Sequence, residues 1–209
     1  MSPSRKTTSQ EKFWKGNFGD NYISRNNHDT FLSSKISLFA KILNETSNVK
    51  SVVEYGPNIG FNIRAIQQLL PSTKFTSVEI NKKACKDLLQ IKNNHVENCS
   101  ILDFRSKKLF DLSLVMTLLI HINPKKLNQV YETLYKNTKK YICIVEYYNP
   151  TPVEVIYRGH KGKLFKRDFA GEMLDKYRNL KLINYGFVYK RDKNFPYDDI
   201  NWFLLEKKK

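Results

Sequence analysis

Apolar positions recur along the chain with two different periods, and their alternation sets the expected order of elements. Between Thr30 and Leu43 they fall at Phe31, Leu32, Ile36, Leu38, Phe39, Ile42 and Leu43, close to helical spacing, which predicts an amphipathic helix. A β-branched run over Ser51–Tyr55 predicts a first strand, and a helix follows from about Asn62 to Leu70, where Pro71 stops it. Lys74–Ile80 alternates and gives a second strand closed by Glu79, Asn81–Leu89 a helix, and His95–Ile101 a third strand ending near Asp103. Phe110–Met116 gives a fourth strand, and Pro124–Asn137 a helix with proline in its first turn, where no N–H is needed. Tyr141–Val145 is a near-continuous apolar fifth strand, as burial on both faces requires.

This strand–helix alternation predicts a doubly wound, Rossmann-like α/β fold with a parallel sheet. The end of the chain breaks the rhythm. Arg167–Tyr177 predicts a helix, but Leu180–Tyr189 and Ile200–Glu206 are strands joined by a short loop holding Pro196. So short a connection suits an antiparallel pair, not a right-handed crossover. Ahead of all this, residues 1–10 predict a disordered tail, 11–45 an aromatic and helical extension, and 46–209 the α/β domain. The segment Phe13–Asn26 carries Phe, Trp and Tyr together with two glycines; it is either a lid over a site or an anchor for the N-terminus.

Composition narrows the class. With 209 residues, 41% hydrophobic and 27% charged, the chain can bury a full core. No apolar run approaches a membrane span, and the polar N-terminus has no secretory h-region. Cys85, Cys99 and Cys143 are scattered, which predicts neither a disulfide framework nor a metal site and fits a reducing cytoplasm. The net charge of +16 raises a nucleic-acid reading, yet the lysines are dispersed and arginine, the better phosphate reader, is the minority.

The candidate chemistry begins at Val52–Asn62. Gly56 and Gly60 bracket a tight turn between strand and helix, which lets the backbone take positive φ and aims helix N–H groups above the strand. Nineteen residues after Gly60, Glu79 closes the second strand, where a carboxylate can accept from the ribose hydroxyls of an adenosine. Ile80 can pack on the adenine, and Asp103, at the end of the third strand, can meet its amino group. The turn lacks the G-x-G-x-x-G fingerprint, and Pro57 removes an N–H that a pyrophosphate would use. S-adenosylmethionine therefore suits the cradle better than a dinucleotide. Glu54 can accept from its ammonium group, or else fix the loop.

The order Glu54-x-Gly56-x-x-x-Gly60, Glu79, Asp103 and Phe110-Asp111 resembles class I S-adenosylmethionine-dependent methyltransferases over most of the chain. Three further segments, Phe13–Asp20, Leu119–Pro124 and Glu146–Pro152 with Tyr157–His160, resemble the pseudaminic acid biosynthesis-associated methylases, bacterial proteins tied to surface and flagellar glycans. The resemblance implies a seven-stranded sheet whose last strand is antiparallel. Tyr55 and Pro57 depart from the smaller residues common in the wider class's loop. Asn58, Asn62 and Thr117 complete the expected cofactor-binding set.

On the acceptor side, His121 after the fourth strand is the candidate base, because imidazole titrates in the useful range; the alternative is a capping or packing histidine before Pro124. His28 and His95 are expected away from the site. Glu146, Tyr147, Tyr148 and Asn149 leave the fifth strand toward the acceptor, with Glu146 and Tyr148 as candidate catalytic groups. Trp14, Tyr22, Arg25, Tyr147, Asn149, Arg158, His160 and Arg167 are expected to bind substrate. The basic run Arg158–Arg167, read as a loop, suits an anionic sugar of the nonulosonic (pseudaminic or sialic-acid-like) type, or is merely solvated. Asn123-Pro124 resembles part of the Asn-Pro-Pro-Tyr signature of amino-methylating nucleic-acid enzymes, but Lys125-Lys126 follow with no stacking aromatic. A basic binding module with a dead site is the non-enzymatic alternative.

Overall fold

The computed structural model describes residues 5–25 and 30–208, with the side chains of Arg25, Thr30 and Phe31 left out; Asn26 and His28 lie outside the described residues. Three helices open the chain: α1 (Ser9–Lys15), α2 (Asn17–Arg25) and α3 (Thr30–Asn44). The sheet then begins with β1 (Ser51–Tyr55), α4 (Phe61–Leu69), β2 (Lys74–Val78), α5 (Lys82–Leu88), β3 (Asn94–Glu97) and β4 (Phe110–Met116). After two 3₁₀ turns come α6 (Leu127–Asn137), β5 (Thr138–Glu146), a hairpin of β6 (Val153–Tyr157) and β7 (His160–Lys166), α7 (Phe169–Lys176), β8 (Leu180–Val188) and β9 (Ile200–Lys207).

Seven strands form one sheet in the order β3-β2-β1-β4-β5-β9-β8. β1 to β5 pair in parallel, whereas β9 is antiparallel to both of its neighbours. The expected terminal antiparallel pair is present, and β9 slots between β5 and β8. Because Tyr55 sits beside both Val78 and Val115, the carboxyl ends of β1, β2 and β4 are level and open onto one edge. Side-chain alternation explains the double layer. Val53, Tyr55 and Val115 face α6 and α7, while Val52, Leu112, Leu114 and Met116 face α3 and α4.

Two stretches differ from the sequence reading. The run 153–166 is a separate two-stranded hairpin and not a loop; Arg158 and Gly159 take φ of +48° and +83°, the two positive values that a tight two-residue hairpin turn needs. Residues 1–4 lie outside the described residues, and Ser9 and Gln10, expected in the tail, belong to α1. Thr8 and Glu11 form a reciprocal capping box at its start, and Arg5 pairs with Glu11 and with Asp103. Cys85, Cys99 and Cys143 are free thiols. Among the described residues no helix is long and apolar enough to cross a membrane.

Candidate active site

A cavity of about 670 Å³ lies beyond the carboxyl ends of β1, β2 and β4, where open α/β sheets bind ligands. Its floor is the turn after β1. Gly56 (φ +71°) and Asn58 (φ +52°) are both left-handed there, and Asn58 N–H donates to Glu79 Oε2 at 2.9 Å. Asn81 N–H holds the other oxygen, Oε1, at 2.8 Å. Glu79 is thus locked at the end of β2 with its carboxylate on the cavity wall. Burial pushes this carboxyl up to about 7, against the pull of those backbone donors.

Gly60 has a different task from the one its spacing implied. It caps α4 with φ +84°, but it does not line the cavity; a Cβ there would run into Ile91 and Leu88. Glu54 also sits off the cavity, 1% exposed. Its Oε1 accepts from Asn62 Nδ2 at 2.5 Å while Oε2 is buried with no partner. Burial raises Glu54 to about 7, opposed by the Asn62 hydrogen bond and the Lys35 charge.

Asp103 is turned to Arg5, with Oδ1 accepting from Nε at 2.6 Å, and is not part of the wall. Ser100, Ile101 and Leu102 occupy that edge instead. The chain after β3 turns back at Ser100, whose carbonyl accepts from Asp103 N–H and Phe104 N–H, so the acid three residues later points outward. Asn62, Ile80 and Thr117 line the cavity as expected; Thr117 holds φ +52°, a costly conformation for a β-branched residue of the kind found at functional sites.

His121 ends a 3₁₀ turn, Leu119–His121, just after β4. Its Nδ1 lies 2.6 Å from the Lys163 carbonyl. A carbonyl only accepts, so Nδ1 carries the proton and Nε2 presents a bare lone pair. The ring packs against Trp14 (centroids 4.6 Å apart) and Tyr157 (4.9 Å), two rings that also lie next to each other at 6.3 Å. Burial lowers its pKa to about 4, opposed by the Lys163 carbonyl. Its wall continues through Tyr22, Tyr147, Arg158, Lys166 and Asp198, with Tyr147 OH donating to Asp198 Oδ2 at 2.7 Å.

The remaining expectations fall elsewhere. Glu146 is buried behind the wall, and its Oε1 accepts from the backbone N–H groups of Leu118 (2.8 Å) and Leu119 (2.6 Å); it positions the turn that carries His121. Tyr148 is exposed beside Phe203, Asn149 closes its own turn onto Thr151, His160 packs on Phe13 and Phe18, and Arg167 pairs with Glu172 at 2.6 Å. Only the backbone of Arg25 is described. Asn123 is used as a cap, accepting from Lys125 N–H and donating to Gln10.

Burial raises Glu146 to about 8, which makes a pH prediction. An unfolded glutamate titrates near 4.3, so between these values the folded state binds more protons and stability falls as pH rises. Glu146→Gln keeps an acceptor for both N–H groups and cannot ionise. Between pH 5 and 8 it is expected to lose stability less than the wild type, by on the order of 3 kcal/mol, as measured by denaturant unfolding at several pH values. Parallel curves for the two proteins would contradict it.

Several solved structures share this architecture. An N1-methyltransferase from Burkholderia thailandensis, crystallised with 1,6-didemethyltoxoflavin and S-adenosylhomocysteine, superposes with TM-score 0.70 over 99% of this chain and 93% of its own, at 11% identity. The N-methyltransferase NodS of Bradyrhizobium japonicum WM9, with S-adenosylhomocysteine, gives 0.66 over 90% and 98% at 14% identity. The magnesium protoporphyrin IX methyltransferase of Synechocystis PCC 6803, with bound S-adenosylmethionine, gives 0.63 over 98% and 100% at 11% identity. The chain has the class I methyltransferase fold. No family model matches the sequence, and no curated protein matches it.

The cavity opens where open α/β sheets bind ligands, and elements outside the sheet wall it. α1 and α2 supply Gln10, Glu11, Trp14, Gly19 and Tyr22, and the hairpin supplies Val155, Ile156 and Leu164. The N-terminal aromatic segment is thus a wall of the cavity as well as an anchor, since Asn81 Nδ2 donates to the Trp14 carbonyl and to Asp20. Sequence reasoning also missed Lys35, Tyr197 and Asp198, which come from α3 and the β8–β9 connection. No local motif marks them, because each is brought to the cavity by a contact distant in sequence.

Proposed function

We propose that this protein is an S-adenosylmethionine-dependent methyltransferase acting on an O or N of a small anionic acceptor, a nonulosonic-acid-type sugar or its precursor. The observation that carries the cofactor is Glu79, a buried carboxylate pinned by two backbone N–H groups at the edge of a cavity floored by the Gly56–Asn58 turn. The residues fit an adenosyl group. Glu79 can accept from ribose hydroxyls, and Ile80, Ile101 and Leu102 supply apolar walls for a purine. Pro57 leaves too few backbone donors for a diphosphate. The bound cofactors in the structural neighbours support the same reading.

When bound, S-adenosylmethionine supplies an electrophilic methyl group on a sulfonium centre. The chain's part is alignment and proton handling in a dry site. Trp14, Tyr22 and Tyr157 line the cavity and exclude water from it. His121 Nε2, held in one tautomer, takes the proton that a hydroxyl sheds as it is methylated; an amine would need no such base. Arg158 and Lys166 at the wall favour an acceptor carrying a carboxylate or phosphate. The sugar class rests on the resemblance of residues 13–20, 119–124 and 146–152 with 157–160 to the pseudaminic acid-associated methylases.

Titration calorimetry with S-adenosylmethionine, S-adenosylhomocysteine and NAD is the first test. Binding of the two adenosyl compounds, and not of NAD, is expected; the reverse would sink the cofactor. Methyl incorporation is then followed with free nonulosonic acids, their sugar nucleotides, RNA and DNA. Labelling of nucleic acid alone, with steep salt dependence, would overturn the sugar.

A further inference from the structure

One cationic side chain in the cavity has no role in the reaction as described. Lys35 comes from α3, is 8% exposed, and reaches the cavity wall. Its Nζ donates to Asn62 Oδ1 at 2.5 Å and to Tyr197 OH at 3.0 Å, with Met116 Sδ at 3.8 Å. These partners are all neutral, and among the described residues Lys35 takes part in no ion pair. A buried ammonium in such company is costly unless an anion completes it.

Glu54, the acid behind it, does not serve. Asn62 stands between the two, its carbonyl turned to Lys35 and its amide nitrogen to Glu54 Oε1. Glu54 is shut off from the cavity, and its raised pKa leaves it an incomplete counter-charge at neutral pH. The surface of Lys35 that faces the cavity is left for a ligand.

The position selects the ligand group. Asn62 stands in the first turn of α4 and Met116 ends β4, so Nζ sits at the β1–β4 end of the cavity. Ile80 and the 100–102 edge lie at the β2–β3 end, with Glu79 between. An adenosyl ligand with its ribose on Glu79 and its purine toward Ile80 directs its amino-acid tail to Lys35. We propose that Lys35 receives the α-carboxylate of the cofactor's methionine portion, and so selects a complete S-adenosyl amino acid over adenosyl compounds that lack the carboxylate. The inference rests on the cofactor reading above. The acceptor's own carboxylate is the other source of the same chemistry.

The test compares S-adenosylhomocysteine with methylthioadenosine and decarboxylated S-adenosylmethionine, by calorimetry on the wild type, Lys35→Met and Lys35→Arg. The wild type should bind S-adenosylhomocysteine most tightly. Lys35→Met should weaken it by about 10- to 100-fold, the loss of a charge-assisted hydrogen bond, while methylthioadenosine changes by less than about twofold. Lys35→Arg should recover most of the loss. Equal weakening of both ligands would make Lys35 a structural residue and overturn the proposal. Unchanged S-adenosylhomocysteine affinity in Lys35→Met would overturn it in favour of the acceptor's carboxylate. A wild type that binds methylthioadenosine as tightly as S-adenosylhomocysteine defeats this proposal and leaves the adenosyl site standing. If it binds no adenosyl compound, the cofactor reading falls and the proposal with it.

Discussion

His121→Ala is expected to lower turnover by about 10²- to 10⁴-fold, the usual worth of a positioned base, with S-adenosylhomocysteine affinity little changed. Three features of the site set this expectation. The Lys163 carbonyl fixes the proton on Nδ1, so the lone pair of Nε2 is always available. Trp14 and Tyr157 pack against the ring on adjacent sides and shield it from water. Burial holds the pKa at about 4, so the imidazole is neutral throughout the physiological range. The base is disabled only by protonation, so its contribution to kcat/KM should stay flat from pH 8 to about 5 and fall as pH approaches 4. Single-turnover rates on a hydroxyl acceptor, with thermal unfolding as a check on the fold, would measure both effects. A variant within tenfold of wild type would make His121 a packing residue and point to an amine acceptor.

Gly60→Val should damage the fold by about 2–5 kcal/mol. Forcing a side chain into the left-handed region costs about 1–2 kcal/mol, and overpacking a filled core adds about 1–3 kcal/mol. Gly60 incurs both, because φ is +84° and the space where Cβ would go is occupied by Ile91 and Leu88. Gly56 is the gentler case: its Cβ would meet Leu118 Cδ1 at 2.9 Å, and Leu118 is only partly buried and can give way, whereas Ile91 and Leu88 are buried in the core. Urea unfolding with an unchanged m-value would give the difference. A Gly60→Val protein within 1 kcal/mol of wild type would mean that the turn is not left-handed. Loss of cofactor affinity in such a variant would follow from a displaced α4 rather than from a blocked cavity.

The sheet was legible because burial on both faces leaves little freedom. Phe110–Met116 has to be apolar almost throughout, and its span agrees with the observed β4. The strand-end acid at Glu79 was legible for the same reason, since the end of a regular strand has a predictable address. Positions beyond a strand end were not. Asp103 lies three residues past the point where the chain reverses at Ser100, and its side chain faces Arg5. Glu146 sits at a strand end as expected, yet its carboxylate is taken up by two backbone N–H groups, an arrangement that depends on the path of residues 117–121. The hairpin over 153–166 was hidden by its charge: Arg158-Gly159 is an unusual turn pair, and the lysines and arginines around it looked like a solvated loop. Lys35 was invisible because its neighbours Asn62, Met116 and Tyr197 are distant in sequence.

The N-terminal segment has a consequence for how the protein is made. α1 and α2 are the first described helices to leave the ribosome, but their partners come late. Gln10 donates to the Gly162 carbonyl, Lys163 Nζ donates to the Ser9 carbonyl, and Phe13 meets His160. Contacts that span some 150 residues form only after long loops close. The parallel strands are therefore made before the cavity is walled, and the wall formed by α1 and α2 takes shape only when the hairpin has emerged to meet it.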